Sequence, residues 1–264
     1  MQNIVVTGKS GAGKQPRIDV LVSEFGLTQL STGNIFRHYL GVFKGLRHAR
    51  TPESYWDAAA SAFVPDEAIR ADLAAACEEK KVPVDDAVLG LKAARFVDAG
   101  LFVPDSITNA LFEGAFLKHE GRGLILDGYP RTADQSQFLL DAVSRAGTRL
   151  DAVLIVDNED ELIVGRTVGR RICPSCQKVF HLEFKPPRDG HLCTACGAEV
   201  IHRSDDTEEK IRTRLAEFQK KTLPAIGVLT AQGIPQVRVP GNLPVFTDEI
   251  VRASVLEALS PILK

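Results

Sequence analysis

The sequence predicts an α/β fold. A phosphate-loop core with a three-layer parallel sheet carries one helical insertion and one small β-rich insertion. Three observations lead there. Short, near-continuous apolar strands alternate with helical stretches, which places a parallel sheet between layers of helices. A turn of the G-x-x-x-x-G-K pattern separates the first strand from the first helix. Two C-x2-C knuckles sixteen residues apart then interrupt the alternation.

In chain order, Asn3 to Thr7 reads as a buried strand ending at Gly8, and a helix follows with Ile18, Val20, Leu21, Val22 and Phe25 on its apolar positions. Further strands are expected at 123–127, 151–156 and 236–239, and helices at about 105–119, 132–146, 158–169, 206–231 and 245–259. Residues 41–104 are mostly helical, with turn signals at Thr51-Pro52, Val64-Pro65 and Val82-Pro83. Residues 172–202 carry the knuckles, Pro186-Pro187 and Asp189-Gly190, and read as a small β-rich unit.

The 264 residues suffice for one large core with small insertions. Lys and Arg total 32 against 34 Asp and Glu, so there is no global electrostatic case for a nucleic-acid or membrane partner. An anion site must instead be a local cluster such as Gly165-Arg-Thr-Val-Gly-Arg-Arg171. The first residues lack the basic and apolar regions of a signal peptide, and no apolar run approaches a membrane span. A cytoplasmic location and a monomer are expected. Disulfides are then disfavoured, and the five cysteines read as four metal ligands plus a packed Cys77.

In Gly8-Lys-Ser-Gly-Ala-Gly-Lys14, glycines let backbone N–H groups curl around phosphate oxygens, and the lysine and helix N-terminus neutralise charge. The competing reading is an ordinary glycine-rich turn. The general motif continues with Ser or Thr, whose hydroxyl meets the magnesium shell. Here Gln15 and Pro16 follow, and Pro16 brings neither hydroxyl nor N–H. Gln15 and Arg17 are the nearest side chains able to donate toward a phosphate. Cys173, Cys176, Cys193 and Cys196 match a tetrahedral zinc site with no open position, hence a structural one. An iron–sulfur site, a redox dithiol or a metal-free cluster are the alternatives.

Leu126-Asp-Gly-Tyr-Pro-Arg-Thr132 resembles the D-G-[FY]-P-R-T strand end of the adenylate kinase family. Ser31-Thr-Gly-Asn-Ile-Phe-Arg37 resembles its S-T-G-D-x-x-R. The stretch Glu161 to Arg171 resembles the lid entry, Arg203-Ser-Asp-Asp206 with Ile211-Arg-Thr-Arg214 the lid exit, and Val239 to Val245 the last nucleotide loop. The resemblance covers residues 1–40 and about 85–260. It implies phosphoryl transfer from Mg-ATP to AMP, giving two ADP, with a structural Zn2+ and with ATP, AMP and ADP as partners. It also implies a core of 1–31, 105–168 and 204–264, an AMP-binding subdomain of 32–104, and a zinc lid of 169–203.

By the same resemblance, Gly11, Ala12, Gly13, Lys14, Gln15 and Pro16 hold the ATP phosphates. Arg170 joins them, Arg166 stacks on adenine, Val179 and Phe180 lie near ribose or base, and the backbone at Leu243 receives the base. Thr32, Arg37, Arg131 and Gln135 hold AMP, helped by Leu101, Phe102, Val103, Gly128, Tyr129 and Pro130. Arg203 and Arg214 bridge both phosphate chains, and Asp127 organises magnesium waters. The catalytic set is therefore Lys14, Asp127, Arg131, Arg170, Arg203 and Arg214.

Three departures stand out. Gly13-Lys-Gln-Pro16 replaces the family's G-K-G-T, Asn34 replaces its Asp, and the segment after Arg37 is several dozen residues longer than usual. The first two predict slow turnover. The third reads either as a helical decoration or as a partner-binding or gating insert. A nucleotide sensor with this fold, and a kinase for another nucleoside monophosphate, are the alternative functions.

Overall fold

The computed structural model describes residues 3–47, 50–99, 101, 103–176, 178–202, 206–243, 245 and 247–262. Strand β1 (Asn3–Thr7) runs through the phosphate loop into α1 (Lys14–Phe25), β2 (Thr28–Ser31) and α2 (Thr32–Lys44). A 3-10 turn at Pro52–Tyr55 leads to a two-residue hairpin, β3 (Trp56–Asp57) with β4 (Ala62–Phe63). Helices α3 (Asp66–Lys80), α4 (Val84–Asp98) and α5 (Asp105–Leu117) follow. The core resumes with β5 (Leu124–Asp127), α6 (Ala133–Arg145), β6 (Ala152–Asp157) and α7 (Asp160–Val168). The knuckle unit contributes β7 (Arg170–Ile172) and β8 (Val179–His181). Last come α8 (Glu208–Glu217), a π-helical segment (Phe218–Thr222), α9 (Leu223–Ala231), β9 (Gln236–Pro240) and α10 (Asp248–Leu259).

Five strands form one parallel sheet in the order β2-β5-β1-β6-β9. Side chains alternate between its faces. Val5, Leu124, Leu126, Val153 and Ile155 point to one layer, with Phe112, Leu139 and Ile226. Ile4, Val6, Ile125, Leu154 and Val156 point to the other, with Ile18, Leu21, Ile163 and Val255. This is the three-layer arrangement predicted. Because all five strands run the same way, β1, β2 and β5 open their C-terminal ends onto one crevice, where an open parallel sheet places its ligand.

Strand β2 was not anticipated. It is four residues long and polar at three of them, and it is a strand because it pairs with β5 from Thr28–Leu124 to Ser31–Asp127. The predicted helix at 206–231 is broken by the π segment just before Pro224. Proline cannot donate to the carbonyl four residues back, and a π turn absorbs the lost bond.

The segment 45–83 is built into the helical insertion. Ile69, Leu73 and Cys77 of α3 bury against Ala87, Val88, Leu91 and Ala94 of α4, with Phe43 and Tyr55. Lys92–Asp66 at 2.6 Å and Arg70–Asp85 at 2.8 Å bracket that contact. Trp56 stands edge-on to Phe63 and Phe96, with the Arg95 guanidinium 3.8 Å from its ring centroid. The added residues thus share a core with α4. Among the described residues, no helix is long and apolar enough to cross a membrane. Leu73→Ala, at a fully buried position, should destabilise the protein by about 2–5 kcal/mol, read as a lowered Tm. A surface decoration loosely attached to α4 would leave Tm unchanged.

Candidate functional site

The site grows from the end of β1. Gly11 and Gly13 adopt φ of 88° and 94°, left-handed values that a side chain disfavours. Gly13 caps α1, and Lys14 is its first residue. The Lys14 ammonium donates back to the Gly8 carbonyl at 3.1 Å, across the mouth of the loop. The rear of the loop meets the turn after β9: a Cβ on Gly241 would overlap the Ala12 carbonyl oxygen, so that contact requires glycine. Lys9 ties the front of the loop to α7, bonding Asp160 at 2.6 Å.

Asp127 ends β5, and the segment beyond it turns into α6. Gly128 has φ of 77° and accepts from Arg131 Nε at 2.8 Å. Thr32 Oγ1, at the start of α2, donates to the Asp127 carbonyl at 3.1 Å. Thr132 caps α6 by accepting from the Gln135 N–H. The Asp105 carboxylate takes Thr132 Oγ1 at 2.6 Å and Gln135 Nε2 at 2.7 Å, so α5 clamps the segment from behind.

Cations from separate elements converge here. Burial pushes the Lys14 ammonium below its ordinary value; Asp127 opposes this, and Arg131 and Arg170 reinforce it. Arg131 is solvent-accessible, yet it sits in a cleft crowded enough that lost hydration is the largest cause lowering its guanidinium. Asp127 and Glu217 oppose that shift and Arg214 adds to it. Lys14 therefore feels Arg131 and Arg170, Arg131 feels Arg214, and Asp127 answers both Lys14 and Arg131. Such a site favours a polyanion.

Arg170 is aimed by a buried partner. Its Nε and Nη2 donate to the two oxygens of Asp206 at 2.8 and 2.5 Å, and Asp206 is fully buried. Arg166 lies against the turn after β9, donating to the Gly241 carbonyl at 3.4 Å and to Asn242 Oδ1 at 2.5 Å. Arg166 is thereby held beside the turn that carries the half-buried Leu243. Arg37 is exposed on α2 and bonds Asn34 one turn back.

Several side chains named from the sequence face elsewhere. Gln15 is exposed and points to Asp19 and Gln29. Arg17 is buried, with its guanidinium on the carbonyls of Gly13 at 3.2 Å and Pro240 at 2.5 Å, so it braces the loop from behind. Neither aims at the mouth of the loop, contrary to expectation. Gln135 is buried, and its amide is engaged by Asp105 and the Arg131 N–H. Tyr129 stacks on Phe112 at 3.9 Å in the core, and Pro130 is buried beside it. Phe180 is buried in the knuckle unit with Cys173, Cys193 and Val200, whereas Val179 is exposed. Leu101 is exposed and Val103 half-buried at the end of the helical insertion. Phe102 and Arg203 lie outside the described residues.

Asp105, Asp206 and Gln29 went unrecognised in the sequence because each acts on another side chain. Asp105 does carry a signal: it follows Pro104 at a helix start, where carboxylates gather.

The Sγ atoms of Cys173, Cys176, Cys193 and Cys196 all lie within 4.8 Å of one another, with the pairs Cys173–Cys196 and Cys176–Cys193 at 3.4 and 3.5 Å. A tetrahedron with Zn–S bonds of about 2.3 Å has edges of about 3.8 Å, so the cluster fits a zinc-sized ion. Burial raises the Cys193 thiol, but backbone N–H groups of Cys196 and Ala195 outweigh it and bring it down to about 6. Cys196 is lowered chiefly by the Ala198 N–H. The second knuckle thus favours thiolates, the form that binds metal. In the first, against the Lys178 N–H, the Cys176 thiol is pushed up to about 12 by the neighbouring Cys193, Cys196 and Cys173 sulfurs and by burial.

A phosphate loop at the end of a parallel strand, facing a D-G-Y-P-R-T segment across a cleft of converging cations, defines a nucleoside monophosphate kinase. The family profile described as adenylate kinase matches residues 79–234. The chain is 33% identical over 258 residues to the adenylate kinase of Symbiobacterium thermophilum, covering 97% of this chain and 98% of that one. It is 32% identical over 240 residues to that of Caldanaerobacter subterraneus subsp. tengcongensis, covering 90% and 89%. It is 31% identical over 259 residues to that of Pelobacter propionicus, covering 98% of each. The chain belongs to the adenylate kinase family.

Protein purified without chelator should contain one zinc per chain by elemental analysis, and Cys193→Ser should remove it and unfold residues 169–202 while sparing the parallel sheet. Hydrogen exchange separates the two regions. Uniform loss of protection would refute a locally acting staple.

Proposed function

We propose that this kinase transfers the terminal phosphoryl group of Mg-ATP to AMP. The bond from the γ-phosphorus to the β,γ-bridging oxygen breaks, and an AMP phosphate oxygen takes its place, giving two ADP. The observation that carries this reading is the meeting of Lys14 and Arg131 at Asp127, with Arg170 near Lys14 and Arg214 near Arg131. Phosphoryl transfer needs little covalent help from protein; it needs positioning and stabilised charge.

In this reading the backbone of Gly11 to Pro16 holds the ATP phosphates, with Lys14 neutralising them. Arg170, steadied by Asp206, reaches the same chain, and Arg214, with Arg203, spans donor and acceptor. Adenine lies between Arg166 and the turn at Leu243, beside Val179, while Phe180 supports from within the lid. AMP is held by Arg37, Arg131 and Thr32, with backbone from Leu101 to Val103 and Gly128 to Pro130. Gln135 fixes Arg131 from behind. Asp127 would offer a hard carboxylate oxygen to Mg2+ bound with ATP, and the ion would supply positive charge to the phosphate oxygens.

The chain divides into a core (1–31, 105–168, 204–264), an enlarged AMP-binding subdomain (32–104) and a lid (169–203), and acts as a cytoplasmic monomer on nucleotides. Lid closure excludes water, so the phosphoryl group goes to AMP and not to hydrolysis.

Two measurements test this. A coupled assay with AMP, CMP, UMP and GMP should show AMP preferred as acceptor, and equal turnover of all four would overturn the AMP assignment. Arg131→Ala should lower kcat/KM for AMP by about two to three decades, since a charged clamp leaves a crowded site. A loss within about twofold would remove Arg131 from the site.

The turnover of the native chain is proposed to be low. Pro16 removes a donor and a hydroxyl, and neither Gln15 nor Arg17 points to the place left. One donor to a developing charge is worth about 2–4 kcal/mol. Pro16→Thr with Asn34→Asp should therefore raise kcat by about tenfold or more. An unchanged or lower kcat would show that the chain tolerates these residues without loss.

A further inference from the structure

Gln15 stands one residue past the phosphate-loop lysine, and its side chain lies in a closed pattern with Gln29 of β2. Gln15 Nε2 donates to Gln29 Oε1 at 3.2 Å, and Gln29 Nε2 donates to Gln15 Oε1 at 3.3 Å. Each amide has a second hydrogen. That of Gln15 goes to Asp19 Oδ1 at 2.8 Å, and that of Gln29 to Asp127 Oδ2 at 2.9 Å. Both outer partners are carboxylates, which as anions only accept. Each amide must therefore turn its NH2 outward, and the pair cannot flip without facing an acceptor with an acceptor. All four N–H donors are used.

We propose that Gln15 and Gln29 form a paired-amide strut that fixes the Asp127 carboxylate against α1. Gln15 is then a positioning residue for the metal–phosphate end of the site, acting through Gln29. The proposal rests on the reading of Asp127 given above. The strut spans two chain segments that the cleft must keep in register, the phosphate-loop helix and the end of β5. One oxygen of Asp127 is held by Gln29, which sets the direction of the other. Gln15 thus bears on the metal side of the site, where the Thr hydroxyl is missing, without itself touching a phosphate. It is exposed on α1, so a substitution there leaves the core intact, and a change at the site reports on the strut.

The test is a double-mutant cycle on the full chain with Gln15→Leu and Asp127→Asn, reading Mn2+ affinity in the presence of ATP by electron paramagnetic resonance, with Tm alongside. Gln15→Leu should weaken Mn2+ binding about three- to tenfold, at or below the low end of what losing a partner of a metal-site group costs. In the Asp127→Asn background the same change should have less than a twofold effect, because the strut then has no carboxylate to hold. Gln29→Leu should reproduce the Gln15→Leu loss, and Gln15→Asn, too short to pair, should not restore binding. Equal losses in both backgrounds, or no loss in Gln15→Leu while Asp127→Asn weakens Mn2+, would overturn the strut alone. No loss in Asp127→Asn would overturn the reading of Asp127, and the strut with it.

Discussion

Repulsion among Lys14, Arg131, Arg170 and Arg214 is the constraint on which the rest of the structure turns. Four cations that feel their neighbours' charge are costly to hold together without an anion, and the cost rises as water is withdrawn. Three of them are held by something rigid. Lys14 is the first residue of a helix and bonds the Gly8 carbonyl; Arg131 is pinned to Gly128; Arg170 is locked bidentately on a fully buried carboxylate. The parallel sheet is what makes the convergence possible. Strands β2, β5 and β1 are neighbours in that order and end together, so three loops far apart in the chain, after Thr7, Ser31 and Asp127, meet over one crevice. A polyphosphate entering that crevice relieves the repulsion, and this converts stored electrostatic strain into affinity.

Around this cluster, carboxylates and amides act as spacers. Asp127 lies among the cations, Asp206 behind Arg170, and Asp105 behind the turn that carries Arg131. A charge placed by a second charge is set in both direction and distance. A long arginine alone has many rotamers to lose, and bidentate pairing removes most of them before substrate arrives. The cleft is therefore preorganised by groups that need not touch a nucleotide.

What the sequence made legible is what the backbone itself encodes. The G-x-x-x-x-G-K turn, the apolar strands and the D-G-Y-P-R-T segment each have a local physical requirement, such as left-handed φ at Gly11, Gly13 and Gly128, and appear in sequence as fixed spacing. The cysteine knuckles were legible for the same reason. What stayed hidden was direction. Nothing in the order of residues says that Arg17 folds behind the loop onto Pro240, that Gln135 turns inward to Asp105, or that Phe180 fills the lid. Those outcomes depend on neighbours well outside the local stretch of chain. Strand β2 was hidden too, because its polar sequence has no alternation and only pairing with β5 makes it a strand.

The lid shows how a small unit answers the same constraint. Its buried cluster is Cys173, Phe180, Cys193 and Val200, with Ala198 packed against it, far too little apolar surface to fold alone. Two of the four buried residues are thiols, so the same side chains belong both to the core and to the cluster whose spacing fits a metal. Metal bound there would let its binding free energy stand in for hydrophobic burial. That matters for Arg170, which sits on the first strand of this unit, paired through Arg170–His181 to the second. A lid held by a large core would gain its stability by packing on the rest of the protein, and would be slow to open. One held by a metal of its own would keep its shape without such packing, and Arg170 would stay aimed through Asp206 whatever the size of the unit's core.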